Sequence, residues 1–322
     1  MTNLQTVVPT VEDVYAARER LAPLLPRTPL FTAGALGKMT HTTLRVKAEN
    51  LQRTGSFKAR GALNAVLRLS PEQKASGVVT FSAGNHGQAL AFAATASGVG
   101  CTVFMSQNAV PTKVEAIRGY GADIRFGSDI GAAFEAMELF RQQTGATFVS
   151  PFADADVIAG QGTVMLEILD EFPEVEQVIV PVGGGGLLCG SALVAKSLRP
   201  DIRVVGVEPE GSTAVSQALR VGHSVRIEHN VTIADGLSAP FTGEPIISLA
   251  TRYVDDMITL TDDEIAQALK LILTRTKLLV EPAGAAAIAA LLTGKAAVPH
   301  GANTVAILSG GNVALDRLKA WL

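Results

Sequence analysis

Short runs of β-branched and apolar residues alternate with helical patterns along almost the whole chain. The runs predicted as strands are residues 43–48, 77–81, 101–105, 123–126, 177–182, 203–208 and 304–309. The segments between them have room for helices of about ten to fifteen residues, as in βαβ units. Parallel strands need such crossovers, so the pattern predicts the α/β class, with open, twisted, mostly parallel sheets covered by helices.

The sequence has no linker that would divide the chain into two consecutive domains. Thr10 with Asp13 resembles a capping box and Pro111 opens a second helix, but these are helix ends without chemical meaning. We find no fixed-period repeat, low-complexity tract or Pro/Ser linker. We therefore expect an inserted domain: residues 1–76 and 152–322 form a large domain, and residues 77–151 form a small domain within it.

Composition excludes several classes of function. The 322 residues carry 27 basic and 30 acidic side chains, a net charge of −3, so no nucleic acid partner is expected. Cys101 and Cys189 lie in apolar runs without metal-ligand spacing and are predicted to be buried free thiols. The chain has neither an apolar run of about 18 residues nor a signal-peptide pattern. A cytoplasmic protein without a membrane partner is predicted.

Four consecutive glycines, Gly183 to Gly186, follow an apolar strand and precede a helix that begins near Leu187. Without Cβ atoms, successive backbone N–H groups can turn toward one phosphate at a helix N-terminus. A tight turn alone rarely needs four glycines. The segment matches neither a Walker A loop nor a dinucleotide fingerprint, so it favours a single phosphate monoester.

Lys58 stands at the predicted start of a helix, directly after Phe57. Burial near a positive helix end would lower the pKa of its amine and make it a nucleophile. Most lysines are solvated, so this hypothesis needs support from other segments.

Two further polar segments follow predicted strands. The amides of residues 82–88 could receive a carboxylate, although Asn85 and His86 could equally be turn and cap residues. Ser309, followed by Gly310, Gly311 and Asn312, offers a hydroxyl at a strand end, where a plain turn would look the same.

Taken in order, seven segments resemble the fold type II pyridoxal 5'-phosphate (PLP) enzymes, specifically the threonine/serine dehydratase and serine racemase family. They are RTGSFKARGA, SAGNHGQ, IAGQGT, PVGGGGLL, ADGL, EPAGA and LSGGN, and the resemblance runs from about residue 14 to residue 312. It implies a tryptophan synthase β-like fold with two open, twisted, mostly parallel sheets. It also implies PLP as the cofactor and a homodimer.

The resemblance implies roles for individual residues. Lys58 is the catalytic residue and holds the cofactor as a Schiff base, and Ser309 faces the pyridine nitrogen. The cofactor-binding residues are Phe57, Lys58, Asn85, Gly183, Gly184, Gly185, Gly186, Leu187, Gly236 and Ser309. The substrate-binding residues are Ser82, Ala83, Gly84, Asn85, His86 and Glu281. For Glu281, a carboxylate that only stabilises a helix N-terminus is an equal alternative.

The activity implied is that of an ammonia-lyase. Lys58 would take the Cα proton of L-threonine, L-serine or a related β-hydroxyamino acid, and the β-hydroxyl would leave as water. The products would be a 2-oxo acid and ammonia. A hydroxyl at Ser309 does not hold the pyridine nitrogen protonated, which favours prompt loss of the β-leaving group.

The chain departs from the family pattern at two positions. Racemases carry a serine where this chain has Ala83, so dehydration is predicted over racemisation. Cation-binding members use a glutamate, which Glu208 matches, and an aspartate, whose position is Ala214. One carboxylate is a poor magnesium or calcium site unless Glu210 substitutes, so a divalent cation is not predicted.

Three other functions stay open on sequence grounds. They are an amino-acid racemase, a β-replacement enzyme of the cysteine synthase kind, and a PLP-binding protein without turnover. The β-replacement enzymes typically carry threonine where His86 stands. The non-catalytic alternative does not explain the lysine.

Overall fold

The structure, a computed structural model, describes residues 7–321. The predicted large domain begins at residue 1 and ends at residue 322, so residues 1–6 and 322 of that prediction lie outside the described residues. Within the described residues the chain forms ten strands: β1 Leu30–Thr32, β2 Thr43–Ala48, β3 Val78–Phe81, β4 Cys101–Ser106, β5 Asp123–Gly127, β6 Thr147–Phe148, β7 Gln177–Pro181, β8 Arg203–Pro209, β9 Asp256–Leu260 and β10 Asn303–Leu308.

Helices fill the segments between most of the strands. Over residues 7–321 they are α1 Val11–Leu21, α2 Gly34–Thr40, α3 Lys58–Leu67, α4 Pro71–Ser76, α5 Asn85–Ala96, α6 Pro111–Gly119, α7 Ile130–Thr144, α8 Ala155–Glu171, α9 Gly186–Leu198, α10 Ala214–Val221, α11 Ile246–Tyr253, α12 Asp262–Thr276, α13 Pro282–Leu292 and α14 Leu315–Leu318. The capping box predicted at Thr10 and Asp13 is present in α1.

The strands form two sheets. One has six strands in the order β1-β2-β10-β7-β8-β9, parallel except for β1, which is antiparallel to β2. The other has four parallel strands in the order β5-β4-β3-β6. The predicted α/β class with two mostly parallel sheets is confirmed. The four-stranded sheet takes its strands from residues 78–148, and the domain boundaries at 77 and 151 stay a prediction.

Apolar side chains fill both faces of each sheet. The six-stranded sheet packs against α1, α8, α9 and α11 on one face and against α2, α12 and α13 on the other. The four-stranded sheet packs against α3, α5 and α6, with α7 on its opposite face. Cys101 and Cys189 are buried free thiols, as predicted. Between residues 7 and 321, no helix is long and apolar enough to cross a membrane.

Helix α8 approaches two neighbouring helices through glycines. A Cβ on Gly160 would lie 2.7 Å from the Cα of Gly61 in α3, and a Cβ on Gly190 of α9 would lie 2.7 Å from the amide nitrogen of Gly162. Close-packed interiors do not tolerate such contacts. The IAGQGT segment therefore serves helix packing: its glycines let α8 lie directly against α3 and α9.

A network of buried charges joins α3 to the same region. The guanidinium of Arg60 donates 2.8 Å hydrogen bonds to both carboxylate oxygens of Glu49, and to Glu167 at 2.6 and 2.9 Å. Lys47 lies 2.7 Å from Glu167 and donates to the Thr28 carbonyl. The four charged side chains are at most 8% exposed. Their charges compensate one another within the protein. Removing one of the four side chains would leave a buried charge without its partner.

Replacing Arg60 by methionine should therefore lower the free energy of unfolding by about 3–5 kcal/mol, because Glu49 and Glu167 would stay buried with one fewer cation. Urea unfolding of the wild type and Arg60→Met measures the difference. Arg199→Met is the matched control. Arg199 also makes a bidentate pair, with Asp201, but both side chains are substantially exposed.

The control should lose much less stability than Arg60→Met, because exposed ion pairs contribute little. Equal losses in the two variants would contradict the role assigned to burial.

Candidate active site

The predicted site residues come together where the sheets and their following loops face one another. Lys58 begins α3, Asn85 begins α5, and Gly186 begins α9 directly after β7. Ser309 follows the last residue of β10. Open α/β sheets bind ligands at the carboxyl ends of their strands, so the arrangement identifies this edge as the candidate site.

Lys58 is partly buried, and its amine has a single hydrogen-bond partner among the described residues. Its Nζ donates to the Pro151 carbonyl at 2.6 Å and lies 5.1 Å from the ring centroid of Phe57. Burial lowers the pKa of Lys58 to about 8. A lysine with a lowered pKa is neutral more often near pH 7 and is then a nucleophile and a base.

The glycine loop contacts the segment that holds Lys58 in place. A Cβ on Gly184 would lie 2.2 Å from the ring of Phe152, the residue after Pro151, and Gly185 has φ of +99°. Within residues 7–321, the six amides from Gly183 to residue 188 donate no hydrogen bond. Free amides at a helix N-terminus attract anions. The loop has the form of an anion receptor.

The loop from Ser82 to His86 presents a second set of amides. The Gly84 amide donates to the Ser82 hydroxyl at 3.2 Å, and that of Gln88 donates to the Gly84 carbonyl. Across the part of the chain that the structure describes, the amides of Ala83, Asn85, His86 and the following glycine have no acceptor. They suit a second anion of carboxylate size.

A chain of side-chain hydrogen bonds connects three segments of the site. The Asn85 amide nitrogen donates to Glu281 Oε1 at 2.6 Å, and Asn312 donates to Asn85 Oδ1 at 2.8 Å and to the Thr54 carbonyl at 2.7 Å. The Glu281 carboxylate does not cap α13, although Glu281 is its N-cap residue. Glu281 therefore joins the site by its hydrogen bond to Asn85, while the alternative of a carboxylate that stabilises the start of α13 stays open.

Backbone contacts bring the remaining predicted residues to the same place. The Phe57 amide donates to the Ser309 carbonyl at 3.1 Å. A Cβ on Gly236 would lie 3.2 Å from Glu281 Oε1, while a Cβ on Gly183 would lie 3.3 Å from the Gly236 carbonyl. Gly236 thus lies between the glycine loop and Glu281, with no side chain to fill the space.

Burial shifts two further pKa values at the site. Burial and the Lys58 ammonium lower the pKa of His86 to about 3, although its hydrogen bond to the Val149 carbonyl, at 2.9 Å, acts in the other direction. Burial and the Asp235 charge raise the pKa of Glu281 to about 7, opposed by Asn85 and Lys113. His86 is therefore neutral, and Glu281 takes up a proton near neutral pH.

A cavity of about 310 Å³ opens beside Glu281 and is lined by Gln88, Lys113, Asp235, Asn312 and Arg317, among others. Lys113 of α6 lies 2.5 Å from Asp235, and Arg317 lies 3.8 Å from the same carboxylate. The Lys113–Asp235 ion pair spans the opening between the two sheets.

Glu208 has a different role from the other residues proposed. Its carboxylate accepts from the amides of Val215 and Ser216 at 2.8 and 3.0 Å, at the start of α10. Burial raises the pKa of Glu208 to about 7, against these hydrogen bonds. Among the described residues, no group of three or more His, Cys, Asp or Glu side chains is arranged to hold a metal.

Several residues of the site were not assigned from the sequence. Asn312 belongs to the LSGGN segment, in which the sequence assigned a role only to Ser309. Pro151, Phe152 and Lys113 lie outside the seven segments, whereas Asp235 belongs to ADGL. The Lys113–Asp235 contact joins segments far apart in the chain, and no local pattern predicts it.

The residues present fit a phosphorylated carbonyl compound such as PLP. Two sets of amides without acceptors flank a partly buried amine of lowered pKa, and the glycines leave the space between them free of side chains. The first set suits a phosphate, and the amine suits a carbonyl group.

Comparisons with known proteins agree with this fit. The family described as "Pyridoxal-phosphate dependent enzyme" matches residues 21–310. The L-threonine ammonia-lyase of Thermotoga maritima is 40% identical over 310 residues, covering 96% of this chain and 77% of that protein. The L-threo-3-hydroxyaspartate ammonia-lyase of Saccharomyces cerevisiae is 39% identical, covering 97% and 95%. Maize serine racemase superposes with a TM-score of 0.93 at 36% identity, covering 98% and 97%.

Gly184→Ala should weaken PLP binding about tenfold or more, because the new methyl group would overlap the Phe152 ring and push the loop out of position. Equilibrium dialysis of PLP measures the effect. Gly34→Ala is the control, since a Cβ there meets nothing within 4 Å. Unchanged affinity in Gly184→Ala, with the fold retained, would argue against the glycine loop as the phosphate site.

Glu281→Gln should be more stable than the wild type at pH 8 by about 1–3 kcal/mol, and similar to it at pH 5. The raised pKa means that the folded protein binds the proton more tightly than the unfolded chain. The stability that this proton confers is present at low pH and is lost as the pH rises through about 7. Chemical denaturation at the two pH values measures it.

Glu264→Gln is a control in which the change in stability at pH 8 should have the opposite sign. Burial acts to raise the pKa of Glu264, but Lys295 and the Thr261 amide outweigh it and hold that pKa below its ordinary value. This variant should lose stability at pH 8. A change in stability of the same sign at pH 8 in Glu281→Gln and Glu264→Gln would contradict the opposite pKa shifts of the two carboxyl groups.

Proposed function

Since the chain belongs to the family of pyridoxal-phosphate dependent enzymes, we propose that it is an ammonia-lyase that dehydrates and deaminates a β-hydroxyamino acid such as L-threonine or L-serine. The observation that carries the proposal is a partly buried lysine of lowered pKa between two separate sets of amides without acceptors. One set suits a phosphate and the other a carboxylate, so the site has a receptor for each anion and a base between them.

For the cofactor, we infer the following arrangement. Gly183, Gly184, Gly185, Gly186 and Leu187 would bind the phosphate, and Lys58 would bind the carbonyl carbon. Phe57, Asn85, Gly236 and Ser309 would surround the ring. When bound, PLP withdraws electrons from the substrate and makes its Cα proton acidic.

Lys58 then acts as the general base. Its pKa of about 8 leaves part of the amine neutral near pH 7, and the Pro151 carbonyl holds Nζ by a hydrogen bond. A base whose pKa lies near the working pH is the most effective. The amides of Ala83, Asn85 and His86 would orient the substrate carboxylate.

The overall reaction balances in two stages. The substrate first loses its Cα proton and β-hydroxyl, which together make one molecule of water. Hydrolysis then takes up one water and releases ammonia, which leaves a 2-oxo acid. Neutral His86 contributes no charge at this site.

The loop geometry favours dehydration over racemisation. Inversion at Cα needs a proton donor on the face opposite the lysine, and Ala83 offers none. The neighbouring hydroxyl, that of Ser82, accepts a hydrogen bond from the Gly84 amide within the loop. Ala83 has no hydroxyl to donate a proton on that face, so racemisation of L-serine should be slow relative to deamination.

The remaining inferences concern setting and assembly. A homodimer is inferred from the family resemblance, a cytoplasmic location stays a prediction from the sequence pattern, and a divalent cation is not required by this proposal. Release of cysteine from O-acetylserine and sulfide would favour the β-replacement alternative.

Lys58→Ala should lose about a thousandfold or more of its activity, because it lacks both the amine that binds PLP and the base. The 2-oxo acid released from L-threonine and L-serine measures turnover. Borohydride reduction followed by mass spectrometry should find PLP fixed to the Lys58 peptide of the wild type only.

Lys270→Ala, at an exposed position of α12, is the control and should keep full activity. A fixed cofactor without turnover of any β-hydroxyamino acid would overturn the ammonia-lyase. Attachment to another lysine would overturn the site.

A further inference from the structure

A second cavity opens at the carboxyl ends of β3 and β4, next to the start of α7. Its volume is about 630 Å³, and its apolar lining comes from Phe81, Ala83, Met105, Ala109 and Ile130. It shares none of its lining residues with the cavity beside Glu281. The carboxyl ends of parallel strands are where α/β sheets bind ligands.

Two of the polar side chains around this cavity accept local hydrogen bonds. The Asp129 carboxylate accepts from the Ala132 amide at 2.9 Å and caps α7, and the Ser106 hydroxyl accepts from the Asn108 amide at 3.2 Å. No lysine, arginine or histidine is present among the described residues that line it. The cavity therefore offers mainly hydrocarbon to a ligand, and the one charged side chain in its lining, Asp129, would repel a second carboxylate.

Apolar side chains next to the cavity stay exposed to water. Ile130 is 68% exposed and Phe134 is 47% exposed, with the Phe134 ring packed edge-on against Phe81. Clustered apolar side chains at a concave site mark places where an apolar group binds.

Ala83 links this cavity to the reaction site. It lines the cavity, and its amide belongs to the set without acceptors that suits a substrate carboxylate. His86, three residues later, is close enough to Lys58 for the ammonium charge to lower its pKa. A substrate bound by this loop has the cavity beside its side chain.

We propose that this cavity receives an apolar substituent on the β-carbon, so that the preferred substrates are β-hydroxyamino acids bearing an aryl or branched alkyl group. Serine has no carbon beyond Cβ and threonine has one methyl group, so neither fills 630 Å³. The inference rests on the ammonia-lyase activity proposed above and adds the class of substrate.

The test compares kcat/KM for threo-3-phenylserine, L-serine and threo-3-hydroxyaspartate in the holoenzyme. The wild type should prefer phenylserine to serine by about tenfold or more, which is the discrimination an apolar pocket gives for added carbon. It should turn over 3-hydroxyaspartate least well of the three. Ala109→Leu, which fills the cavity, should lower the ratio of phenylserine to serine by about tenfold.

Ile130→Asp is a second variant at an exposed position and should lower the same ratio. Leu139→Asp is its matched control, because Leu139 lies on the same helix, is 55% exposed and is not part of the cavity lining. The control should keep the wild-type ratio.

The outcomes separate this inference from the activity on which it rests. Turnover of serine with no preference for phenylserine, or equal ratios in Ile130→Asp and Leu139→Asp, would overturn the substrate class and leave the ammonia-lyase intact. A change of mass in solution for Ile130→Asp, with its ratio unchanged, would make the surface a protein interface instead. Failure to turn over any of the three compounds would overturn both proposals.

Discussion

The compensation of charge around Arg60 is the constraint on which the site depends. Glu49 follows β2, Arg60 lies in α3 and Glu167 lies in α8, so three segments meet at one guanidinium. The planar guanidinium of Arg60 donates to a carboxylate on each of two sides, and this requires both carboxylates to lie in fixed positions around it. Lys58 is two residues before Arg60, and the same contacts that satisfy the buried charges therefore fix the start of α3.

The rest of the site is built from backbone groups more than from side chains. Loops after strands of both sheets contribute amides, and glycines keep the space between them clear. Side chains act mainly by holding those loops, as Asn85, Glu281 and Asn312 do through shared hydrogen bonds. Burial supplies the remaining ingredient, because it lowers the pKa of Lys58 and keeps His86 neutral.

The sequence predicts the fold wherever the local pattern is strong. Each of the seven predicted strands is present with bounds that differ by at most one residue, and the family resemblance is confirmed by the comparisons. The strands β1, β6 and β9 were missed because they are short or lie at sheet edges, where apolar patterning is weak. The glycine segments indicated the site, whereas Phe152 and the cavity beside Ile130 arise from tertiary contacts that no local pattern encodes.

The two glycines of α8, Gly160 and Gly162, have a consequence for how this protein can diverge. Gly160 lies against α3, which begins with Lys58, and Gly162 lies against α9, which follows the glycine loop. A side chain at either position would push one of these helices away from α8. At the start of α7, by contrast, Ile130 is 68% exposed and can change size without displacing a helix. Descendants of this chain can therefore acquire new substrates through changes at the smaller sheet, while the chemistry they perform is inherited unaltered.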